Sequence, residues 1–276
     1  MLAAVAEACE FAMYWQEPWP EELDLARDPE QVRAAAEELA GRQETSWWHA
    51  PVDLADQHFC ISWTPGEDVP APPQLRGLLA AVTADLDELA ARIARSPAPA
   101  PWRDVSGAWW SFPWALDAPR TDTARMVGEP PAPAALVWIE DSFGPEAGMS
   151  WRVGPPPDAR VYEVDGPAAW AALVRAHPFE VTATTKSHDW RRATGRNGRW
   201  AMPDWRSVAE QWDGVHVTVA GYLTTAGRAL DIDDQLATVL AGWEPDRTFW
   251  LTDDLRLLDD GTRWTRDEDD WVWRRA

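Results

Sequence analysis

The side chains best suited to chemistry concentrate in an arginine- and tryptophan-rich segment, residues 186–200. Guanidinium groups bind phosphate and carboxylate groups through paired hydrogen bonds, and indole rings stack on flat ligands. Since the chain as a whole is strongly acidic, we expect this segment, predicted as a loop, to bind a small anion. A set of internal ion pairs or a surface for a protein partner are the alternatives. The predicted ligand-binding residues here are His188, Trp190, Arg191, Arg192 and Arg199, with Lys186, Arg196 and Trp200 beside them.

A second candidate lies in the stretch DGVHVTVAGYL, where apolar and polar residues alternate. This period predicts a strand over 214–223 with its valines facing the core. His216, Thr218 and Tyr222 would then share the other face, and their side chains all donate and accept hydrogen bonds. These three residues join the predicted ligand-binding set. The alternative is the solvated face of an ordinary strand.

Other polar clusters give weaker signals. Glu163 and Asp165 fall on one face of a predicted strand and could act as a carboxylate pair. The aspartates at 231, 233 and 234 lack the glycine and the glutamate that a calcium loop requires, so we predict no metal site. The tryptophans of AWWSFPW and GWEPDRTFW are assigned to the core. An aromatic wall for a sugar, a nucleobase or a cationic ligand is the alternative for some of them.

Common catalytic signatures are absent from the sequence. It contains no G-x-S-x-G, H-E-x-x-H, C-x-x-C, G-x-x-x-x-G-K-[ST] or G-x-G-x-x-G motif. The usual hydrolase, zinc-protease, P-loop and dinucleotide-binding classes are therefore disfavoured.

Composition limits the partners and the compartment. A formal net charge of −21 repels phosphate backbones and anionic lipid headgroups, so we expect neither a nucleic-acid nor a membrane partner. The two isolated cysteines form no disulfide framework, and no apolar run is long enough to span a bilayer. We therefore expect a cytoplasmic protein.

Hydrophobic periodicity predicts both helices and strands. The predicted helices cover residues 2–14, 27–42, 74–96, 166–178 and 204–212. The predicted strands lie near 58–63, 107–114, 135–141, 160–165, 179–184, 214–223, 239–243 and 248–253. This order predicts an α+β fold with a mixed, largely antiparallel sheet and a helix-rich N-terminal half.

A proline cluster at 154–160 suggests an internal boundary. We predict a helix-rich N-terminal subdomain, 1–153, with tryptophan-rich strands, and a strand-rich C-terminal subdomain, 154–276. One continuous domain with a proline-rich loop at that point is the alternative.

The stretches VYEVDGPAAWAALVRAHP, DWRRATGRNGRW, PDWRSVAEQWDGVHVTVAGYLTTAGRAL and LAGWEPDRTFWL fill most of the C-terminal part. They resemble a group of tryptophan-rich proteins of actinobacteria to which no function is assigned. The resemblance therefore implies an origin and no activity.

A strand-helix opening, a later strand with His and Tyr, and the segment YLTT are similar to features of ADP-ribosyltransferases. Those enzymes use an early Arg or His, a middle Ser, Thr or Tyr, and a late glutamate. The resemblance implies NAD as cofactor and Arg160, Thr224 and Glu244 as catalytic residues. The chain departs from the pattern because it ends without an E-x-E or Q-x-E motif.

Three hypotheses about function result. In the first, the C-terminal half binds an anionic small molecule or a protein partner without established catalysis, and the cofactor is unknown. The second is an NAD-dependent ADP-ribosyltransferase-like enzyme. The third is an acidic immunity or decoy protein with a basic partner, and it rests on the net charge.

Overall fold

A computed structural model describes residues 2–10, 29–63, 68–97, 105–139, 147–266 and 272–276. Its helices are α1 (Leu2–Glu10), α2 (Pro29–Ala40), α3 (Leu78–Arg95), α4 (Ala134–Val137), α5 (Pro167–Ala176), α6 (Lys186–Thr194), α7 (Trp205–Ala209) and α8 (Val219–Thr225), with a 3-10 helix at Gln43–His49. Its strands are β1 (His58–Trp63), β2 (Asp122–Thr123), β3 (Met126–Val127), β4 (Ala132–Pro133), β5 (Ala147–Gly154), β6 (Val161–Val164), β7 (Pro178–Glu180), β8 (Arg199–Pro203), β9 (Gly214–Val217), β10 (Leu230–Asp231), β11 (Leu236–Thr238), β12 (Arg247–Trp250), β13 (Arg256–Leu257), β14 (Thr262–Arg266) and β15 (Trp273–Arg275).

The strands form an α+β fold with mixed, largely antiparallel sheets, which confirms the predicted class. One sheet has the order β1-β5-β14-β15, with β13 also paired to β5. A second has the order β10-β11-β8-β7, and a third has the order β2-β12-β9-β6. Only the pairs β8–β11 and β6–β9 are parallel among the described strands.

Helix α3 shows how an amphipathic pattern becomes a buried face. Leu78, Val82 and Leu86 recur every four residues and are all buried, while the acidic residues of the helix are exposed. Helices lie on both sides of residue 153. None of the helices in the described ranges is both long and apolar enough to cross a membrane.

Strand β5 is the main feature that the sequence pattern missed. Its eight residues pair with β1 on one side and with β14 and β13 on the other. Its sequence has the period of a strand, because Met149, Trp151 and Val153 alternate with polar residues and share one face. The signal was therefore present in the sequence and was not recognised. The predicted boundary at 153/154 falls at the end of this strand, whose partners come from both predicted subdomains.

The predicted strand over 214–223 is wrong in its second half. Strand β9 ends at Val217, and Thr218 becomes the N-cap of α8, because its Oγ1 accepts a hydrogen bond of 2.9 Å from the Gly221 N–H. Tyr222 therefore lies on a helix. All four β9 residues are buried, which excludes the alternative of a solvated strand face.

Other predicted elements differ from the structure. Residues 107–114 form no strand, and the segment predicted as the strand 135–141 begins as the short helix α4. The arginine-rich segment predicted as a loop contains α6 and the start of β8. The predicted positions 11–14 and 140–141 lie outside the described residues.

Gly221 packs too closely on β6 to carry a side chain. A Cβ atom at this position would lie 2.0 Å from the main-chain oxygen of Val164. We predict that Gly221→Ala lowers the free energy of unfolding by about 3 kcal/mol, since α8 must move away from the strand. Urea unfolding measures this change.

The matched control is Gly41→Ala, where the added Cβ would be 3.5 Å from its nearest neighbour. Its unfolding free energy should change by less than about 0.5 kcal/mol. Equal effects of the two substitutions would contradict the close approach of α8 to β6.

Candidate functional site

A cleft with aromatic walls lies between the segment 110–122 and the start of β12. Its volume is about 300 Å³, at the lower end of the range for small-molecule sites. The aromatic and aliphatic lining comes from Leu78, Trp110, Phe112, Pro113, Trp114, Ala118, Pro119 and Phe249, and the remaining lining from Arg120, Thr121, Asp122, Gly242 and Glu244. An apolar concavity with a few polar groups at one place is the usual form of a ligand site.

Two tryptophans of this wall remain accessible to solvent. Trp110 is 36% exposed and Trp114 is 51% exposed, and their ring centroids lie 5.6 Å apart at an interplanar angle of 40°. Phe112 stacks on Phe249 with a centroid distance of 4.8 Å and supports the wall from β12. Exposed large aromatic rings beside a concave surface are typical of recognition sites.

The glycine at 242 permits the position of the first wall residue. Gly242 has a φ of 74°, and a Cβ atom there would come within 2.2 Å of Trp110 Cδ1. The indole ring therefore lies directly on the glycine backbone, an approach that any other residue would block.

Helix α6 holds the wall segment through a buried aspartate. Asp189 is fully buried, and its carboxylate accepts hydrogen bonds from the Ser106 N–H at 2.7 Å, the Ser106 hydroxyl at 2.6 Å and the Ala108 N–H at 2.8 Å. Hydrogen bonds to a charged acceptor are about twice as strong as neutral ones. Because the segment has no regular secondary structure, these bonds replace those that a helix or sheet would give its backbone.

Two other residues of α6 bind the same segment. The Lys186 ammonium donates to the main-chain oxygens of Ala108 and Trp110, and Trp190 Nε1 donates to the Trp109 oxygen at 2.8 Å. Burial lowers the pKa of Lys186 to about 8, so the charged form still predominates at neutral pH. We call the set Lys186, Asp189 and Trp190 the α6 clamp.

A third attachment joins the wall to the other side of the cleft. The Ser111 N–H donates to the Ala241 oxygen at 2.8 Å, and the Ala241 N–H donates to Ser111 Oγ at 2.9 Å. Ala241 directly precedes Gly242, so both sides of the cleft are fixed relative to each other.

The polar end of the cleft is a network of alternating charges. Arg120 binds Asp122 through Nε at 3.1 Å and Nη2 at 2.9 Å. Arg247 donates to the same carboxylate at 2.8 Å and also to Glu244. Burial alone would raise the pKa of Asp122, but the two guanidinium groups hold that pKa below its ordinary value. The carboxylate is therefore ionised at neutral pH.

The residues predicted to form an anion site have other roles in the structure. His188 and Trp190 are buried, and Trp190 belongs to the α6 clamp. Arg199 forms a two-point ion pair with Glu180, whereas on α6 Arg191 is exposed and Arg192 is half-buried. None of these five lines the aromatic cleft.

His216 lies in the core between two carboxylates. Its Nδ1 is 2.5 Å from Glu163 Oε2, and its Nε2 is 3.3 Å from Asp246 Oδ1. Burial opposes a charge on the ring, but the hydrogen bonds to Asp246 and Glu163 outweigh it and raise the pKa of His216 above 6.5. Both ring nitrogens are occupied by acceptors, so the imidazolium holds the structure and has no nitrogen left for a ligand.

Further hydrogen bonds hold the two carboxylates beside His216. Arg125 Nε donates to Asp246 Oδ1 at 2.7 Å, and the Val52 N–H donates to Glu163 Oε1 at 2.9 Å. Thr218 and Tyr222 were predicted to share a strand face with His216 but have other roles. Thr218 caps α8, and Tyr222 is buried on that helix. The polar face of β9 is thus covered by protein.

The structure does not bring the residues implied by the ADP-ribosyltransferase resemblance together. Arg160 precedes β6 and pairs with Asp213, which precedes β9. Thr224 follows β9, on α8, where its hydroxyl donates to the Ala220 oxygen at 2.7 Å. Because β6 and β9 are parallel, Arg160 and Thr224 lie toward opposite ends of these strands. Glu244 lines the aromatic cleft and binds Arg247.

A second, wider groove of about 630 Å³ runs past the 3-10 helix. Its main aromatic residue, Trp47, stacks on Trp138 with a centroid distance of 5.9 Å and lies beneath the Arg125 guanidinium at 5.8 Å. Trp47 therefore serves internal packing, whereas the wall tryptophans of the aromatic cleft face solvent. Within the described ranges, no group of three or more His, Cys, Asp or Glu side chains is placed to hold a metal ion.

Sequence reasoning gave the aromatic wall only as an alternative to core packing. The available signal was the run WWSFPW, in which Trp110, Phe112 and Trp114 share one face of the predicted strand. The contribution of α6 had no local signal, because Asp189 and Ser106 are far apart in sequence.

Comparison with known proteins finds no matching family model, no matching curated protein and no matching solved structure. Neither of the two resemblances gains support from that comparison.

Removal of the Asp189 carboxylate should loosen the cleft wall. We predict that Asp189→Ala lowers the free energy of unfolding by about 3 kcal/mol, since it leaves three half-buried donors of Ser106 and Ala108 unpaired. Urea unfolding gives this value. The control is Asp234→Ala, at an exposed position, with an expected change below about 0.5 kcal/mol. Similar values for both variants would refute the role of the carboxylate.

The His216 network should make stability depend on pH. The folded-state pKa is raised, so its stabilisation is complete below pH 6.5 and is lost as pH rises through the folded-state pKa. In Glu163→Gln one carboxylate charge is missing, so the pKa of His216 falls and the loss begins at lower pH. Unfolding free energies of both proteins, measured across neutral pH, test this expectation. Parallel curves for the two proteins would contradict it.

Proposed function

We propose that this protein binds a small organic molecule in the aromatic cleft. The observation that carries the proposal is the exposure of Trp110 and Trp114 on a wall that buried polar side chains hold in place. A protein rarely fixes two solvent-facing indole rings beside a concave surface without a partner for them. We thus retain the small-molecule binding predicted from the sequence, but we assign it to the wall that α6 supports and not to α6 itself.

Preorganisation favours ligand binding at this place. The backbone of the wall is fixed on one side by the α6 clamp and on the other by Ser111. Because the rings are held before a ligand arrives, little conformational entropy is lost on binding. The buried charges at the polar end would orient the polar groups of the ligand.

The decisive variant is Trp114→Ala, which removes half-exposed ring surface from the cleft. We expect small ring-containing fragments to bind the wild-type protein in ligand-observed NMR, and their affinity to fall about tenfold in the variant. Such a loss corresponds to about 1.4 kcal/mol, which is within the range of one aromatic contact.

The matched control is Leu258→Ala, because Leu258 is 54% exposed and lies outside the cleft lining. Fragment affinity should be unchanged in this variant. Binding that is equal in Trp114→Ala and wild type, or no fragment binding at all, would refute the proposal. Recovery of a protein partner that is lost in Trp114→Ala, without fragment binding, would instead identify the wall as a protein-binding surface.

A further inference from the structure

The charges at the polar end of the cleft cancel locally. Arg120 and Arg247 supply two positive charges, and Asp122 and Glu244 supply two negative charges. The two guanidinium groups share the Asp122 carboxylate, and Arg247 joins it to Glu244. Each charge at this end of the cleft is therefore already compensated by the protein.

This balance disfavours an ionic ligand. An anion at Arg120 would lie beside the Asp122 carboxylate that already neutralises this guanidinium, and the net charge of −21 would repel it as it approaches. A cation would have to compete for Asp122 and Glu244 with Arg247, which is buried and cannot leave easily. A neutral ligand meets neither cost.

The paired charges remain strong hydrogen-bonding groups for a neutral ligand. Carboxylates accept hydrogen bonds, and guanidinium groups donate them in a fixed plane. A hydroxyl group does both, so adjacent hydroxyls can bind alternating carboxylates and guanidiniums. Arg120 and Glu244 present such a donor and acceptor to the cleft, whereas Asp122 is buried behind Arg120 and fixes its position.

The shape of the wall favours a puckered ring over a flat one. Trp110 and Trp114 contact each other at an angle of 40°, so they form an angled surface with no parallel slot between them. A flat base or dye gains most from offset parallel stacking. A saturated ring with C–H groups on one face and hydroxyls at its edge fits an angled indole surface beside a polar end.

We infer that the ligand is a neutral saccharide, with the C–H face of one sugar ring on Trp110 and Trp114 and its hydroxyls on Arg120 and Glu244. The inference rests on the proposed function, since it names the class of molecule that the aromatic cleft takes. The inference concerns binding alone and implies no catalytic step on the saccharide.

Saturation-transfer NMR with defined probes tests the ligand class. The neutral probes are methyl hexopyranosides and their neutral disaccharides; the charged probes are glucose 6-phosphate, glucosamine and choline. We expect saturation transfer to the C–H protons of at least one neutral saccharide, and an affinity about tenfold lower in Trp114→Ala. Binding should be unchanged in Leu258→Ala.

Ionic strength separates the chemical classes. Binding of a neutral saccharide should stay constant between low and high salt, whereas binding of glucose 6-phosphate or choline would weaken as salt screens the charges. A second variant, Arg120→Met, removes a donor at the polar end and should weaken saccharide binding several-fold.

The outcomes distinguish this inference from the proposed function. One outcome is that uncharged ring fragments or charged probes bind in a Trp114-dependent way, whereas no neutral saccharide binds. This result would overturn the saccharide inference and leave the cleft as a ligand site. If no probe and no fragment binds, both are overturned. Saccharide binding that survives Trp114→Ala would also overturn the inference, because it would place the sugar elsewhere.

Discussion

The hydrogen bonds that the buried Asp189 carboxylate accepts from residues 106 and 108 are the constraint on which the candidate site depends. An irregular segment must find partners for its backbone groups outside a helix or sheet, or else remain hydrated and mobile. Here α6 supplies those partners from a single helical turn, since Lys186, Asp189 and Trp190 face the same segment. The exposed indoles of the wall can therefore be rigid although no strand carries them.

The sheet β2-β12-β9-β6 connects this cleft to the rest of the core. Opposite residues of paired strands share a face, so Asp122, Phe249 and Val215 lie on the cleft side. Thr248 and His216 lie on the other side, where the imidazolium and its carboxylates are buried. Both faces of the sheet thus carry compensated charges. The loss of one partner in either network would leave a buried charge unpaired. The two networks therefore fix the position of β12 and of its cleft residue Phe249.

Local sequence patterns predicted much of the fold and little of the site. Strand β1 and helices α3 and α5 were predictable because their apolar residues follow a single period. Strand β5 was missed although Met149, Trp151 and Val153 alternate with polar residues as in a half-buried strand. The strand through His216 was extended too far because Thr218 caps α8 instead of continuing the pairing. The charge on Arg199 was visible, but its pairing with Glu180 was not. Arginine clusters in an acidic chain suggest ligands, yet the structure here engages several of them internally.

Native-state hydrogen exchange at the amides of Ser106, Ala108 and Ser111 tests most directly whether the cleft wall is held in place. We expect slow exchange at all three, approaching that of β9 and β12, because each N–H donates to a buried acceptor in a fixed segment. Exchange as fast as in an exposed loop would mean that the wall is not held by α6, and that the tryptophans of the cleft are not preorganised for a ligand.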